Sequence, residues 1–139
     1  MATNTQFSIA VHVMAGLAHR SGQHTTSAQI ASSVNASPSF VRRILARLSK
    51  AGLVQTCKGQ TGSCWLDRKP EQITLLDIYT AVGAPRVFAI HDYPAEARCV
   101  VSCNIKTALE RVQTQTQHAM EARLKKITLA DVLCDVREP

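Results

Sequence analysis

No stretch of this chain is apolar enough for long enough to cross a membrane. The longest mostly apolar stretch near the start, Ile9 to Ala18, contains His12 and falls far short of the ~20 residues a spanning helix needs. Residues Met1 to Ser8 hold no basic cluster, so no export signal is visible and the cytoplasm is the expected compartment. Five cysteines, Cys57, Cys64, Cys99, Cys103 and Cys134, form an odd set without a sign of secretion, which argues against a disulfide scaffold. Paired catalytic carboxylates, a phosphate-binding glycine loop and a Ser, His and Asp set in a plausible order are also missing, which speaks against an enzyme. The histidines, His12, His19, His24, His91 and His118, follow no metal-ligand spacing, so no metal site is expected. What remains, at 139 residues with 45% apolar and 19% charged, is a folded one-domain protein with an appendage.

Charge is missing from the first part of the chain and concentrated in the middle. Before Phe40 the one charged residue is Arg20. Between Phe40 and Pro70 stand Arg42, Arg43, Arg47, Lys50, Lys58, Arg68 and Lys69 against Asp67 alone, an excess equal to the +6 of the whole chain. Such clustering suits a polyanion, because grouped Lys and Arg displace the counterions condensed on phosphates.

The hydrophobic pattern predicts mainly helices with one small hairpin. Phe7, Ala10, Val11, Met14, Leu17 and Ala18 keep helical spacing up to Ser21-Gly22. Thr26 and Gln29 form a capping box ahead of Ile30, Ala31 and Val34. Ser37 followed by Pro38 opens a third helix whose stripe is Val41, Ile44, Leu45 and Leu48. Stepping 100° per residue sets Ser39, Arg43, Ala46 and Lys50 opposite that stripe, with Arg42 and Arg47 on its shoulders. Gly52 supplies a left-handed cap, after which Leu53 to Cys57 and Cys64 to Leu66 read as two strands around a glycine-bearing tip. Thr74 to Asp77 caps a further helix through Val82, with Leu75, Leu76, Ile78, Tyr79 and Val82 facing the core. Ala84 to Arg98 shows no period and reads as an ordered irregular loop. A long helix follows over the Cys103 to Lys126 region, with Ile105, Ala108, Leu109, Val112, Ala119, Leu124 and Ile127 in helical register, and Thr128 to Asp131 caps a short last helix.

Helix, helix, short turn, helix and two-stranded wing make a winged helix-turn-helix. Its third helix can enter a major groove while the wing reaches the neighbouring minor groove. The expected DNA contacts are Thr26, Ser37, Ser39, Arg42, Arg43, Arg47 and Lys50, with Lys58 on the wing. The expected organisation is residues 1–83 for DNA, 84–102 as a hinge and effector loop, and 103–139 for a dimerisation helix and a C-terminal helix.

The run Ser37-Pro38-Ser39-Phe40-Val41-Arg42-Arg43-Ile44-Leu45, with Leu48 to Val54 and Ile73 to Val82, resembles the BadM/Rrf-two family of bacterial winged-helix regulators over nearly the whole chain. The resemblance implies a homodimer on a partly palindromic operator, most simply as a repressor, with the long helix crossing to the partner. It also implies base contacts at Ser37, Ser39, Arg42 and Arg43 and a minor-groove contact at Lys58. The wing tip Gly59-Gln60-Thr61-Gly62 departs from the family's proline- and glycine-rich pattern. Some relatives hold an iron–sulfur cluster on three cysteines before the long helix, where this chain offers Cys99 and Cys103. Phe88-Ala89-Ile90-His91 with Pro94 and Cys99 is closer to cluster-free members, so no cofactor is expected. Phe88, His91, Tyr93, Cys99 and Cys103 are the expected effector or redox residues. The alternatives are an iron–sulfur or thiol sensor using Cys99 and Cys103 with His91, and a protein-interaction module. Cys57 and Cys64 read as small strand residues and Cys134 as a packed one.

Overall fold

The computed structural model of the protein describes residues 4–56, 62–96 and 98–136. In chain order the elements are α1 (Gln6–His19), β1 (Thr25–Thr26), α2 (Ser27–Val34), α3 (Pro38–Lys50), β2 (Val54–Thr56), β3 (Ser63–Leu66), a 3-10 turn (Pro70–Gln72), α4 (Leu75–Ala81), α5 (Val100–Lys125) and α6 (Leu129–Cys134). They fall into two units, one within Met1–Ala84 and Leu124–Pro139, the other within Pro85–Arg123.

In the first unit, side-chain caps start the helices where the sequence calls for them. Thr26 Oγ1 accepts from the Gln29 amide at 3.2 Å while Gln29 Oε1 accepts from the Thr26 amide at 3.0 Å, which closes the box at the start of α2. Asn35 ends that helix with φ 55°. Ser37 Oγ accepts from the Phe40 amide at 3.2 Å, and Pro38 occupies the first turn of α3, where a missing N–H costs nothing. At the other end Gly52 takes φ 78° and donates to Ser49 O at 3.0 Å, and Leu53 donates to Leu48 O at 3.0 Å. Those two bonds form a Schellman motif, and they turn the chain sharply from α3 into β2.

One core gathers Ala10, Val13, Met14 and Leu17 of α1, the α3 stripe Val41, Ile44, Leu45 and Leu48, Ile78 of α4 and Val82 at its C-terminal cap. The sheet differs from the expected two-stranded wing, since its order is β1-β3-β2, all antiparallel. Thr25 pairs with Cys64 and Thr26 with Ser63. Two residues are too few to show alternation, and Thr26 serves both as the last strand residue and as the α2 cap. Leu76 is half-buried rather than in the core, while Leu75, Ile78, Tyr79 and Val82 are buried.

The last helix also departs from the expected grouping with the long helix, because it packs against α1 and the 3-10 turn. Thr128 bridges to Thr74, Leu75 donates to Ile127 O at 2.9 Å, and Leu129 donates to Ile73 O at 2.8 Å. Two boxes of the same pattern, Thr74 with Asp77 and Thr128 with Asp131, therefore lie side by side, and Leu129 is fully buried. Cys134 is exposed on this helix and is not a packed residue.

In the second unit the segment before α5 is irregular yet tied down by side chains of the helix. Val87 donates to Gln117 Oε1 at 2.9 Å, Gln113 Nε2 to Phe88 O at 2.6 Å, and Tyr93 Oη to Ser102 O. The first two satisfy the Val87 N–H and the Phe88 carbonyl, backbone groups that a strand or helix would otherwise pair, while Tyr93 reaches the helix backbone with its own side chain. The helix itself begins at Val100, three residues before the expected start, and leaves Val100 79%, Val101 66% and Val112 47% exposed.

Candidate nucleic-acid interface

Helix α3 is two-faced, with Val41, Ile44, Leu45 and Leu48 buried while Ser39, Arg42, Arg43, Ala46, Arg47 and Lys50 are all exposed. Ser37, also exposed, stands at its N-terminus with its hydroxyl 3.4 Å from that of Ser39. The pair sits where amide N–H groups and the helix dipole favour an anion. Arg43 lies with its guanidinium carbon 5.5 Å from the centroid of the Phe40 ring, a cation–π contact that restrains the side chain on the exposed surface. The first two turns of α3 thus hold two hydroxyls and two guanidiniums outside the core, donors that match phosphate oxygens and the acceptor edge of guanine.

The other expected contacts divide. Thr26 is half-buried and its hydroxyl oxygen is engaged in the α2 cap, so it stands at a helix N-terminus with its hydroxyl hydrogen still available. Arg47 donates from Nη1 to Val82 O at 2.6 Å, a carbonyl at the end of α4 that also accepts from Gln6 Nε2 at 2.8 Å. A cation on a helix C-terminus is favoured by the dipole, so Arg47 couples α3 to α4. Lys50 lies with Arg68 along a groove beside α4. Lys58 and Cys57 lie outside the described residues.

Among the expected effector residues, His91 stacks on Tyr93 with centroids 5.1 Å apart, and Phe88 is half-buried. Cys99 precedes α5, and its Sγ accepts from the Ser102 amide at 3.3 Å, as an N-cap oxygen would. Cys103 Sγ donates to Glu96 O at 3.1 Å. Among the described residues no group of three or more His, Cys, Asp and Glu is placed to hold a metal. Cys64 is buried, donates to Thr25 O at 3.2 Å, and has its pKa pushed up by burial to about 11. Gln113 and Gln117, which hold the loop to α5, were missed by the sequence reading. Their signal was two amides four residues apart within the long helix.

Among the described residues no helix is long and apolar enough to cross a membrane. The family model described as Rrf2, Iron-dependent Transcriptional regulator, matches residues 3–135. Over 131 residues the chain is 34% identical to the "Putative HTH-type transcriptional regulator YwnA" of Bacillus subtilis (strain 168), covering 94% of this chain and 96% of that protein. The solved structure of a Lactobacillus plantarum protein superposes with a TM-score of 0.81 at 25% identity, covering 95% of this chain and 89% of that one. T. potens IscR superposes with a TM-score of 0.67 at 26% identity, covering 99% and 89%.

Proposed function

Since this chain belongs to the Rrf2 family, and so is a DNA-binding transcriptional regulator and not an enzyme, we propose that it acts as a homodimeric repressor on a partly palindromic operator. The observation that carries this reading is the exposed start of α3, with Ser37, Ser39, Arg42 and Arg43 facing away from a fully buried stripe. Arg42 and Arg43 read base edges, Ser37 and Ser39 hold phosphate or a base edge, and Thr26 and Lys50 take the backbone. Lys58 enters the minor groove from the wing.

Dimerisation falls to α5, whose valines stay exposed in the single chain. Burying such residues against a second copy stabilises by about 25 cal/mol per Å² of apolar surface. Two recognition helices then meet major grooves about 34–36 Å apart. In this reading the signal arrives at residues 84–102 as a small molecule or a thiol modification, and the protein works in the cytoplasm without a resident cluster. Cys99 is the thiol this reading singles out, because it is exposed just before the 26-residue helix α5 and its sulfur accepts from the Ser102 amide at 3.3 Å. Mild peroxide should then weaken operator binding by the parent and leave Cys99→Ala unaffected; equal responses would remove the thiol from the signal.

A footprint on the DNA upstream of its own coding region, read at two salt concentrations, tests the main proposal. The expected result is a protected site with dyad symmetry, with affinity falling steeply as salt rises. Protection without dyad symmetry, or binding indifferent to salt, would overturn it.

A further inference from the structure

A groove of about 770 Å³ runs along the first unit between the last turn of α3, the entrance to β2 and one face of α4. Its size falls within the range of pockets that take small organic molecules, roughly 300–1,000 Å³. Three cations border it, Arg47, Lys50 and Arg68, against the single carboxylate of Asp77. That carboxylate is committed to the α4 cap, accepting from the Thr74 amide at 3.0 Å. The remaining wall is largely apolar, with Ala51, Leu76 and Ala81 contributing.

Both guanidiniums stand beside bare backbone. A side chain on Gly52 would come 3.7 Å from Arg68 Nη2, and one on Gly83 would come 3.9 Å from Arg47 Nη1. Both glycines are left-handed, with φ 78° and 61°, a conformation that larger residues rarely adopt, so these flanks of the groove stay clear. Arg47 uses one of its five N–H donors on Val82 O and keeps the others.

We propose that this groove is a binding site for a small organic anion, a carboxylate carried on a compact apolar body. The carboxylate lies between Arg68, Lys50 and the free donors of Arg47, and the body rests on Leu76 and Ala81. Burying a head group among three cations and an apolar body against α4 uses both kinds of wall, whereas inorganic phosphate would use one. The consequence rests on the DNA-binding reading above: a ligand bridging the end of α3 to α4 biases the helix whose other end carries Arg42 and Arg43, so operator affinity changes with occupancy.

The test reads ligand binding without DNA, by titrating the full chain with benzoate, benzylamine or inorganic phosphate at constant ionic strength and following amide resonances. Benzoate should shift Lys50, Leu76, Thr80 and Gly83 saturably. Benzylamine, of the same shape and opposite charge, should not, and phosphate should bind about tenfold more weakly than benzoate. Arg68→Gln should weaken benzoate about fivefold, the worth of one partly exposed charge pair. Thr80→Glu, at an exposed position on the wall, should abolish benzoate binding with the far-ultraviolet circular dichroism unchanged. Equal shifts by benzoate and benzylamine, phosphate as tight as benzoate, saturable shifts that leave Lys50, Leu76, Thr80 and Gly83 unmoved, or full affinity in Arg68→Gln would overturn the site. Benzoate shifts that persist in a protein binding no operator would sink the DNA-binding reading and leave the groove standing. Operator affinity unchanged at saturating benzoate would refute the coupling alone.

Discussion

Arg47 was expected at the DNA, yet the structure gives it work inside the protein, and its removal tells the two roles apart. Its Nη1 donates to Val82 O at 2.6 Å, and Gln6 Nε2 donates to the same carbonyl at 2.8 Å. A charge-assisted hydrogen bond contributes about 1.5–3 kcal/mol, and solvent around the exposed guanidinium reduces this to about 1–2 kcal/mol. Gln6→Ala should cost about 0.5–1.5 kcal/mol, because Arg47 still satisfies the acceptor. Removing both donors leaves a part-buried carbonyl short of partners, so the double variant should lose about 1 kcal/mol more than the two single losses added together. Urea unfolding followed by circular dichroism at fixed protein concentration reads all four corners of this cycle. An Arg47→Ala midpoint equal to that of the parent, or strict additivity in the double variant, would mean that the shared Val82 carbonyl does not tie α3 to α4.

Three further outcomes follow from the packing. The Cys64 thiol is held near pKa 11 by burial against an ordinary 9.0, so between those values the unfolded chain ionises first. Stability should fall as pH rises from about 9 to about 11, and Cys64→Ala should flatten that decline in urea melts; an equal decline in both would refute the assignment. Gly52→Ala forces a side chain into φ 78° and should cost about 1–2 kcal/mol in the same melts, where a neutral result would contradict the Schellman turn. Val112→Glu places charge on the uncovered face of α5 and should drop the sedimenting species from about twice 15.1 kDa to a single chain, whereas an unchanged dimer would move the interface elsewhere.

Much of the fold was legible because local chemistry and global packing agree. Each Thr or Ser cap at 26, 37, 74 and 128 is made as the sequence demands, and the α3 stripe is buried as its spacing requires. The departures at β1 and α6 share a cause, which is contact between residues far apart in sequence. Strand β1 exists only because β3 lies beside Thr25 and Thr26. Helix α6 joins α1 because Leu129 and the Thr74–Thr128 bridge bring residues over fifty positions apart together, which no periodicity encodes. Among candidate contacts, the exposure of Ser39, Arg42 and Arg43 was readable from a helical wheel. The capture of Arg47 by Val82 was not, since a charged residue on the shoulder of a stripe looks the same whether it faces DNA or a neighbouring helix.

If the exposed start of α3 reads bases, the specificity ratio of Arg43 variants must register it. Affinity for the footprinted operator and for mixed duplex of equal length should be measured by fluorescence anisotropy at one salt concentration, for the parent, Arg43→Lys and Arg43→Ala. A forked contact to guanine is worth about 1–3 kcal/mol of discrimination, and lysine keeps the charge without the planar fork. Both variants should lose operator affinity by about five- to a hundredfold, with Arg43→Lys holding mixed duplex as tightly as the parent, so that the ratio collapses. A ratio unchanged in Arg43→Ala would mean that Arg43 at the start of α3 reads no base.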